Sequence, residues 1–375
     1  MRVAVMLRAF DERGGVGVYA RNLVSHLLAL DSDDEYLLLY RDPAHLGTYG
    51  HLARVTERCL TAQGKAHWDQ VAVPRAAREF GADVILHPKF TVPLACEIPS
   101  VMVLHGADWF LPGAARFYGR LDRIYMRIFM PLYLHRARLA VSVSQLTTAD
   151  FNRLFRLPAS KVRTVYFGPA EHFRRVEDPV EIDRVRRKYG LPERYILTLS
   201  RVDDGGRKNA AGLFRAFQEI FRQTGCSLVV GGAGLERWRE DYGIPDQDWG
   251  AAVHFPGYLE QADLPALYSG ACLYLYPSNQ EAFPIPLTEA MACGVPIVTS
   301  NVNGLAEIAG DAAELVDPAS PEDIARATVR MMRDPEVRAA RVAAGHARSL
   351  EFSWQKCATT ISAILREAAQ SGSRP

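Results

Sequence analysis

Short apolar runs alternate with helix-length amphipathic segments along most of this chain, and that alternation limits its fold more than any other feature. In the first half the strand-like runs fall at residues 2–7, 36–40, 84–87, 101–104, 139–143 and 162–165. Helical patterns lie between them at 18–30, 114–138 and 145–157. The second half repeats the scheme, with strands at 195–199, 227–230, 253–255, 273–276 and 296–299. Its helices are expected at 210–223, 264–268, 287–293, 321–333 and 336–350. Continuous apolar strands separated by helices indicate parallel sheets covered on both faces. The expected fold class is therefore α/β: two Rossmann-like doubly wound domains in series, facing a central cleft. Ligands of such sheets sit where strands end and loops lead into helices.

The strand pattern breaks in the segment FGPAEHFRRVEDP, residues 167–179. We place a boundary there, giving domains at 1–172 and 173–350, with a last helix within 351–375 returning toward the first domain. Charge divides near the same point. Up to Arg175 there are 23 basic and 16 acidic residues, and beyond it 21 and 27. The whole chain carries a formal charge of +1, which argues against a polyelectrolyte partner such as nucleic acid. No apolar run reaches the roughly 18–20 residues of a membrane span. The start, MRVAVMLRAF, enters a strand pattern without the features of a secretory leader. Six cysteines are scattered with no Cys-x-x-Cys pair, which suits reduced thiols and a cytoplasmic location.

The loops after the strands carry the chemistry. In DERGGVGVYARNL, Gly14, Gly15 and Gly17 precede or open a helix, where backbone N–H groups can approach an anion. The same glycines are compatible with a plain turn. His105 ends the fourth strand of the first half, in LHGADWF. In SRVDDGGRKNAAGLF, Arg201 and Lys208 flank a helix start with Asn209 as expected cap, an arrangement that suits a diphosphate. The segment PSNQEAFPIPLTEAMACGVPIVTS places Glu281 on a loop and Glu289 eight residues on, inside a helix that Pro286 opens. A carboxylate there can accept hydrogen bonds from a ribose diol, and the amides around Phe283 to Leu287, with Phe283, Pro284 and Ile285 as donor-binding residues, are expected to face sugar or phosphate oxygens.

The Glu-x7-Glu element with its EAMACGVPIVTS continuation resembles the retaining glycosyltransferases of family 4, which have the two-domain GT-B fold. The likeness extends over the GGVG loop, His105, the VSVSQ strand end at Ser144, SRVDDGGRKN, HFPGYL and NGLAEIAGDAAELVDP. It implies an acceptor-binding first domain and a nucleotide-sugar-binding second one. Gly15 and Gly17 would lie near the donor phosphate and sugar, and His105 would touch the donor sugar. Arg201 and Lys208 would bind the diphosphate, Glu281 the sugar hydroxyls and Glu289 the ribose. Backbone at Gly257 and Tyr258 would meet the base, and Asp108, Trp109 and Ser144 the acceptor. Two departures stand out: Ala282 and Pro284 replace the family's glycines, and FGPAEHF replaces its usual Asn-Gly-Val.

The expected reaction moves a hexose from GDP-mannose or a UDP-hexose to a hydroxyl of a saccharide, glycolipid or other glycoside, with retention. Fixed cations would stabilise the leaving diphosphate. No Asp-x-Asp motif stands where a metal would be needed, so neither metal nor other cofactor is expected. The segment 114–138 mixes Arg116, Arg120, Arg123 and Arg127 with aromatic residues and suggests a peripheral contact with an anionic membrane carrying a lipid-linked acceptor. A nucleotide-sugar isomerase or epimerase of the same architecture and a non-catalytic nucleotide-sugar-binding protein remain the alternatives.

Overall fold

The structure, a computed structural model, describes residues 1–12, 14–111, 113, 115–202 and 206–370. It divides into two compact units: Met1–Phe167 with Ser353–Pro375, and Gly168–Phe352. The helix that closes the described residues thus belongs to the first unit.

The first unit contains strands β1 (Arg2–Met6), β2 (Glu35–Tyr40), β3 (Val55–Cys59), β4 (Val84–His87), β5 (Ser100–Leu104), β6 (Leu139–Ser142) and β7 (Val162–Thr164). They form one sheet in the order β3-β2-β1-β4-β5-β6-β7, every pairing parallel. Strands β1, β4 and β5 are apolar on both faces because both faces are covered. One apolar layer includes Trp68, Val73, Ala77 and Phe80 with Ala4, Leu37 and Ile85. Another gathers Met126, Met130, Tyr133 and Phe151 with Met102, Leu104 and Ala140. The last helix, Trp354–Gln370, packs on helix Gly15–Leu28 and on β4, β5 and β6. Trp354 stacks on Phe167 with ring centroids 4.7 Å apart, and Arg366 reaches the buried Asp34 carboxylate at 2.6 Å.

The second unit contains β8 (Tyr195–Leu199), β9 (Ser227–Gly231), β10 (Val253–His254), β11 (Leu273–Tyr276), β12 (Ile297–Ser300) and β13 (Ala313–Val316). Their order is β10-β9-β8-β11-β12-β13, again all parallel. In both sheets the order reverses direction beside the first strand of the unit, which opens a crevice at the carboxyl ends where helices begin. Two parallel-sheet, doubly wound α/β domains are thus the architecture.

Two strands were absent from the sequence expectation, β3 and β13. Both are edge strands: β3, VTERC, is nowhere fully buried, and β13, AELV, carries a polar residue in a short run. Helices Val73–Phe80, Pro179–Lys188 and Asn303–Ala309 were likewise not anticipated. The helix expected over 114–138 runs only from Arg120 to Arg136, after a short 3-10 turn at Ala115–Phe117. Ala114 lies outside the described residues. Glu289's helix, Ile285–Ala292, begins two residues before the expected one, so Pro286 is its second residue. All six cysteines are free thiols.

Candidate functional site

In the second unit the site is built on the strand LYLYP. With period two, Leu273 and Leu275 enter one apolar layer, while Tyr274 and Tyr276 enter the other. The Tyr276 hydroxyl donates to Glu281 Oε1 at 2.9 Å and accepts from Lys208 Nζ at 2.5 Å. Lys208 Nζ lies 2.5 Å from the same carboxylate oxygen, and Arg207 lies 2.9 Å from the other, Oε2. Arg207 also donates to the Gln280 carbonyl at 3.0 Å. Two cations and a phenol thus surround one buried carboxylate. Burial alone would raise the Glu281 carboxyl, but Lys208, Arg207 and Tyr276 together hold it down to about 2. The Lys208 ammonium is pushed down by burial, against the pull of Glu281, with Arg207 adding to the push.

Asn209 positions Lys208. It takes a left-handed conformation (φ 55°) just ahead of helix Ala210–Thr224. Its side chain makes no cap; instead Nδ2 donates to the carbonyls of Pro277 at 2.9 Å and Pro318 at 2.8 Å. That is a correction to the capping role expected of it. The loop is pinned to the end of β11, beside Glu281. Gly212 leaves room for that side chain, since a Cβ there would lie 2.5 Å from Asn209 Oδ1. Arg201 is exposed at the end of β8. Of the Gly205-Gly206 pair in this loop, Gly205 lies outside the described residues with Asp203 and Asp204.

Glu289 sits in helix Ile285–Ala292 and is 7% exposed. The Tyr268 hydroxyl donates to its Oε2 at 3.0 Å, and burial raises its carboxyl to about 7 against the small lowering from that bond. It makes no direct bond with the Glu281 group. Between them runs a tyrosine ladder, Tyr268 to Tyr274 at 5.2 Å and Tyr274 to Tyr276 at 5.6 Å. The expected row of anion-facing amides needs correction. Pro284 and Pro286 have no N–H, while Ile285 N donates to Phe283 O at 3.1 Å and Leu287 N to Pro284 O at 3.0 Å. Phe283 is buried edge-on against Phe352. Gly257 (φ 77°) and the exposed Tyr258 follow β10, with Gly257 O accepting from Gly232 N at 2.9 Å.

The residues of the first unit gather at the carboxyl ends of β1, β4 and β5. Gly15 is the exposed first residue of helix Gly15–Leu28. Gly17 is buried, and a Cβ there would lie 1.9 Å from the Glu12 carbonyl oxygen. It serves close packing of helix on loop rather than presenting itself to a ligand. His105 shares a hydrogen bond with the Pro88 carbonyl at 2.8 Å through Nε2, which makes Nε2 the protonated nitrogen and leaves Nδ1 as an acceptor. Burial lowers this ring to about 4; the Pro88 bond and Glu12 oppose that shift, and Lys89 reinforces it. Glu12 and Lys89 form an ion pair beside it. Asp108 is buried and accepts from the Tyr118 hydroxyl at 2.9 Å; Trp109 packs edge-on against Phe90 at 4.9 Å. Ser144 is completely buried, and its hydroxyl caps helix Gln145–Phe155 by accepting from Thr147 N at 3.2 Å. The acceptor contact expected of it gives way to this structural role.

Sequence reasoning missed Arg207, Tyr268 and Tyr276. The alternating tyrosines of LYLYP were the available signal for Tyr276; nothing in the sequence links Tyr268 to a glutamate twenty-one residues later.

Residues 181–348 match the family described as glycosyl transferases group 1, and residues 13–168 match glycosyltransferase family 4. O-antigen chain mannosyltransferase B of Escherichia coli is 32% identical over 288 residues, covering 75% of this chain and 74% of that protein. A serotype-specific mannosyltransferase, WbdA of Escherichia coli, is 28% identical over 90% of this chain, which spans 43% of that longer protein. Among solved structures, sucrose-phosphate synthase from Thermosynechococcus elongatus superposes with a TM-score of 0.75 at 19% identity, covering 99% of this chain and all of that one. Anabaena HepE, solved with UDP and glucose, gives 0.74 at 17% identity, covering 98% and 99% of the two chains. These two likenesses concern the fold.

Proposed function

The chain belongs to glycosyltransferase family 4, and on that premise we propose that it transfers a hexose, with retention, from a nucleoside diphosphate sugar to a saccharide hydroxyl. GDP-mannose is the favoured donor, because the relative sharing 32% identity is named as a mannosyltransferase. A UDP-hexose is the competing donor. The observation that carries the reading is the buried cluster of Lys208, Arg207, Tyr276 and Glu281 at the end of β11.

In this reaction the bond from the anomeric carbon to the diphosphate breaks, and the acceptor oxygen bonds to that carbon on the face the diphosphate leaves. The acceptor proton passes to the departing diphosphate. Charge accumulates on the leaving oxygen, so a preorganised cation there lowers the barrier. Lys208 supplies it, with Arg201 at the neighbouring strand end. Oε1 of Glu281 is already filled by Lys208 and Tyr276, so we assign this residue first to holding the ammonium in place. Oε2, which pairs with Arg207, is the oxygen we assign to a sugar hydroxyl. Glu289, once ionised, accepts from the ribose diol. In the first unit, His105 offers Nδ1 to a donor-sugar hydroxyl, and Asp108 and Trp109 form part of the acceptor surface. Side chains carry the charge neutralisation, so turnover is expected to survive chelation of divalent metal.

Thermal unfolding with GDP, UDP, ADP and dTDP, each with Mg²⁺ or with chelator, tests the donor site. A ligand at 100 times its Kd adds about 2.7 kcal/mol, a shift of several degrees for a chain of this size. One selective shift, the same with chelator, supports the reading. No shift with any nucleotide contradicts it.

A further inference from the structure

Two of the free thiols, Cys226 and Cys272, meet at the amino end of the second unit's sheet. Ser227 of β9 pairs with Tyr195 of β8, and Leu273 of β11 pairs with Ile196 of β8. The residues just before β9 and β11 therefore flank the start of β8 on its two sides. Cys272 N donates to the Tyr195 carbonyl at 2.8 Å, and Ser227 N to the Arg194 carbonyl at 3.3 Å. Both cysteines pack into one apolar layer, the one that holds Ile196, Leu228 and Leu273. There the two thiols share a hydrogen bond, and the Arg194 side chain donates to Cys272. Cys226 is fully buried, whereas Cys272 is partly exposed.

This contact makes the two sulfurs unequal. The Cys226 hydrogen bond, with help from Arg194, pulls the Cys272 thiol down to about 6 against its burial. The same bond pushes Cys226 up, and burial adds to the push. Cys59, Cys96, Cys293 and Cys357 are all raised by burial. A partly exposed thiolate touching a buried, protonated thiol has the parts of an attacking and a resolving cysteine.

We infer that Cys226 and Cys272 form a peroxide-reactive dithiol, in which Cys272 is oxidised first and Cys226 then closes a disulfide with it. The Cys272 thiolate attacks one oxygen of hydrogen peroxide, and the O–O bond breaks. The hydroxide that leaves takes up a proton to become water, and Cys272 is left as a sulfenic acid. Cys226 then gives up its proton, its sulfur bonds to that of Cys272, and the S–O bond breaks to release a second water. Two thiols thus lose two electrons and two protons, and one peroxide becomes two waters. Closure protects Cys272 from irreversible oxidation to the sulfinic acid, and a dithiol reductant restores both thiols. Lys208 and Glu281 belong to the opposite, carboxyl end of the sheet, so this chemistry goes beyond the proposed reaction and does not rest on it.

The test treats the reduced full chain with a small excess of hydrogen peroxide, blocks remaining thiols with N-ethylmaleimide and maps the peptides by mass spectrometry. A Cys226–Cys272 cross-linked peptide is expected, and dithiothreitol should abolish it. In Cys226→Ser the reaction should stop at a sulfenic acid on Cys272, trapped by dimedone, and excess peroxide should carry it to sulfinic acid. Iodoacetamide at pH 7 should alkylate Cys272 about tenfold or more faster than the partly exposed Cys59. Arg194 is exposed, so Arg194→Gln should slow that alkylation about fivefold or more with an unchanged thermal midpoint. The wild-type and Arg194→Gln measurements stand even if the buried serine disturbs folding. A wild-type chain that gives no cross-linked peptide, or that keeps a sulfenic acid on Cys272, overturns the proposal. Equal alkylation of Cys59 and Cys272 does so as well.

Discussion

Lys208 and Glu281 meet at 2.5 Å on the floor of the second unit, with the Tyr276 hydroxyl touching both. A buried ion pair adds little net stability, because desolvation cancels much of the attraction. Under the proposed function its value is placement: the pair would hold the ammonium for a leaving diphosphate. Lys208→Ala should lower kcat by at least two orders of magnitude, since such charge stabilisation is worth roughly 3–4 kcal/mol. Tyr276→Phe keeps both charges and loses only the bridge, so its kcat should fall by about tenfold at most. Steady-state kinetics on both variants checks this. An unchanged rate for Lys208→Ala removes that residue from the machinery.

Glu289 makes a prediction with a definite sign. Its carboxyl is raised to about 7, so between 4.5 and 7 the folded protein holds a proton that the unfolded chain has lost. Stability from this group is therefore greatest at low pH and falls as pH rises through 7. Nucleotide binding runs the other way, because the ribose diol needs the ionised carboxylate as acceptor. Affinity should climb with pH and level off above about 7. Calorimetric titration at several pH values should show this slope in the wild type and not in Glu289→Gln, whose affinity is lower throughout. Equal slopes would refute the ribose assignment.

Gly17→Ala should destabilise the first unit. The added methyl would lie 1.9 Å from the Glu12 carbonyl oxygen, a backbone atom that cannot swing aside. Overpacking of this kind costs roughly 1–3 kcal/mol. Urea unfolding measures it, and a wild-type midpoint would show that the loop yields freely.

His87 should make the protein acid-sensitive. It is 1% exposed, and burial lowers its ring to about 3, with Nε2 3.2 Å from Ser100 Oγ. The unfolded chain takes up a proton near 6.5 that the folded one refuses, so stability present above that pH is lost as pH falls toward 3. Between pH 6.5 and 5 the loss is up to about 2 kcal/mol. His105, lowered to about 4, acts in the same direction. Urea midpoints at the two pH values should fall less in His87→Leu; an equal fall would assign the acid sensitivity to other groups.

The sheets were legible in the sequence because their central strands are apolar on both faces and bounded by helix patterns. The edge strands β3 and β13 were not, because an edge keeps one side in water and mixes polar residues into the run. Lys208, Glu281 and Glu289 stood out as candidates from their place in and around the loops that lead into helices, and the structure brings Lys208 and Glu281 together. Their partners did not, since Arg207 looks like any loop arginine until Glu281 is folded against it. The amides near Phe283 were misread for a local reason: two prolines and two short-range backbone bonds use up that turn. Gly17 was misread because the sequence shows that a side chain is missing, but not what fills its place. Ser144 was assigned to the acceptor on resemblance, whereas its neighbour Thr147 claims the hydroxyl.

The most direct test is to follow the anomeric signals by NMR while the enzyme is incubated with GDP-mannose and a mannose-terminated oligosaccharide, in the presence of chelator. We predict GDP release with matching growth of a new α-mannosyl signal, reduced by at least about a hundredfold in Lys208→Ala. A β-linked product would contradict retention. Full transfer by Lys208→Ala would contradict the site itself.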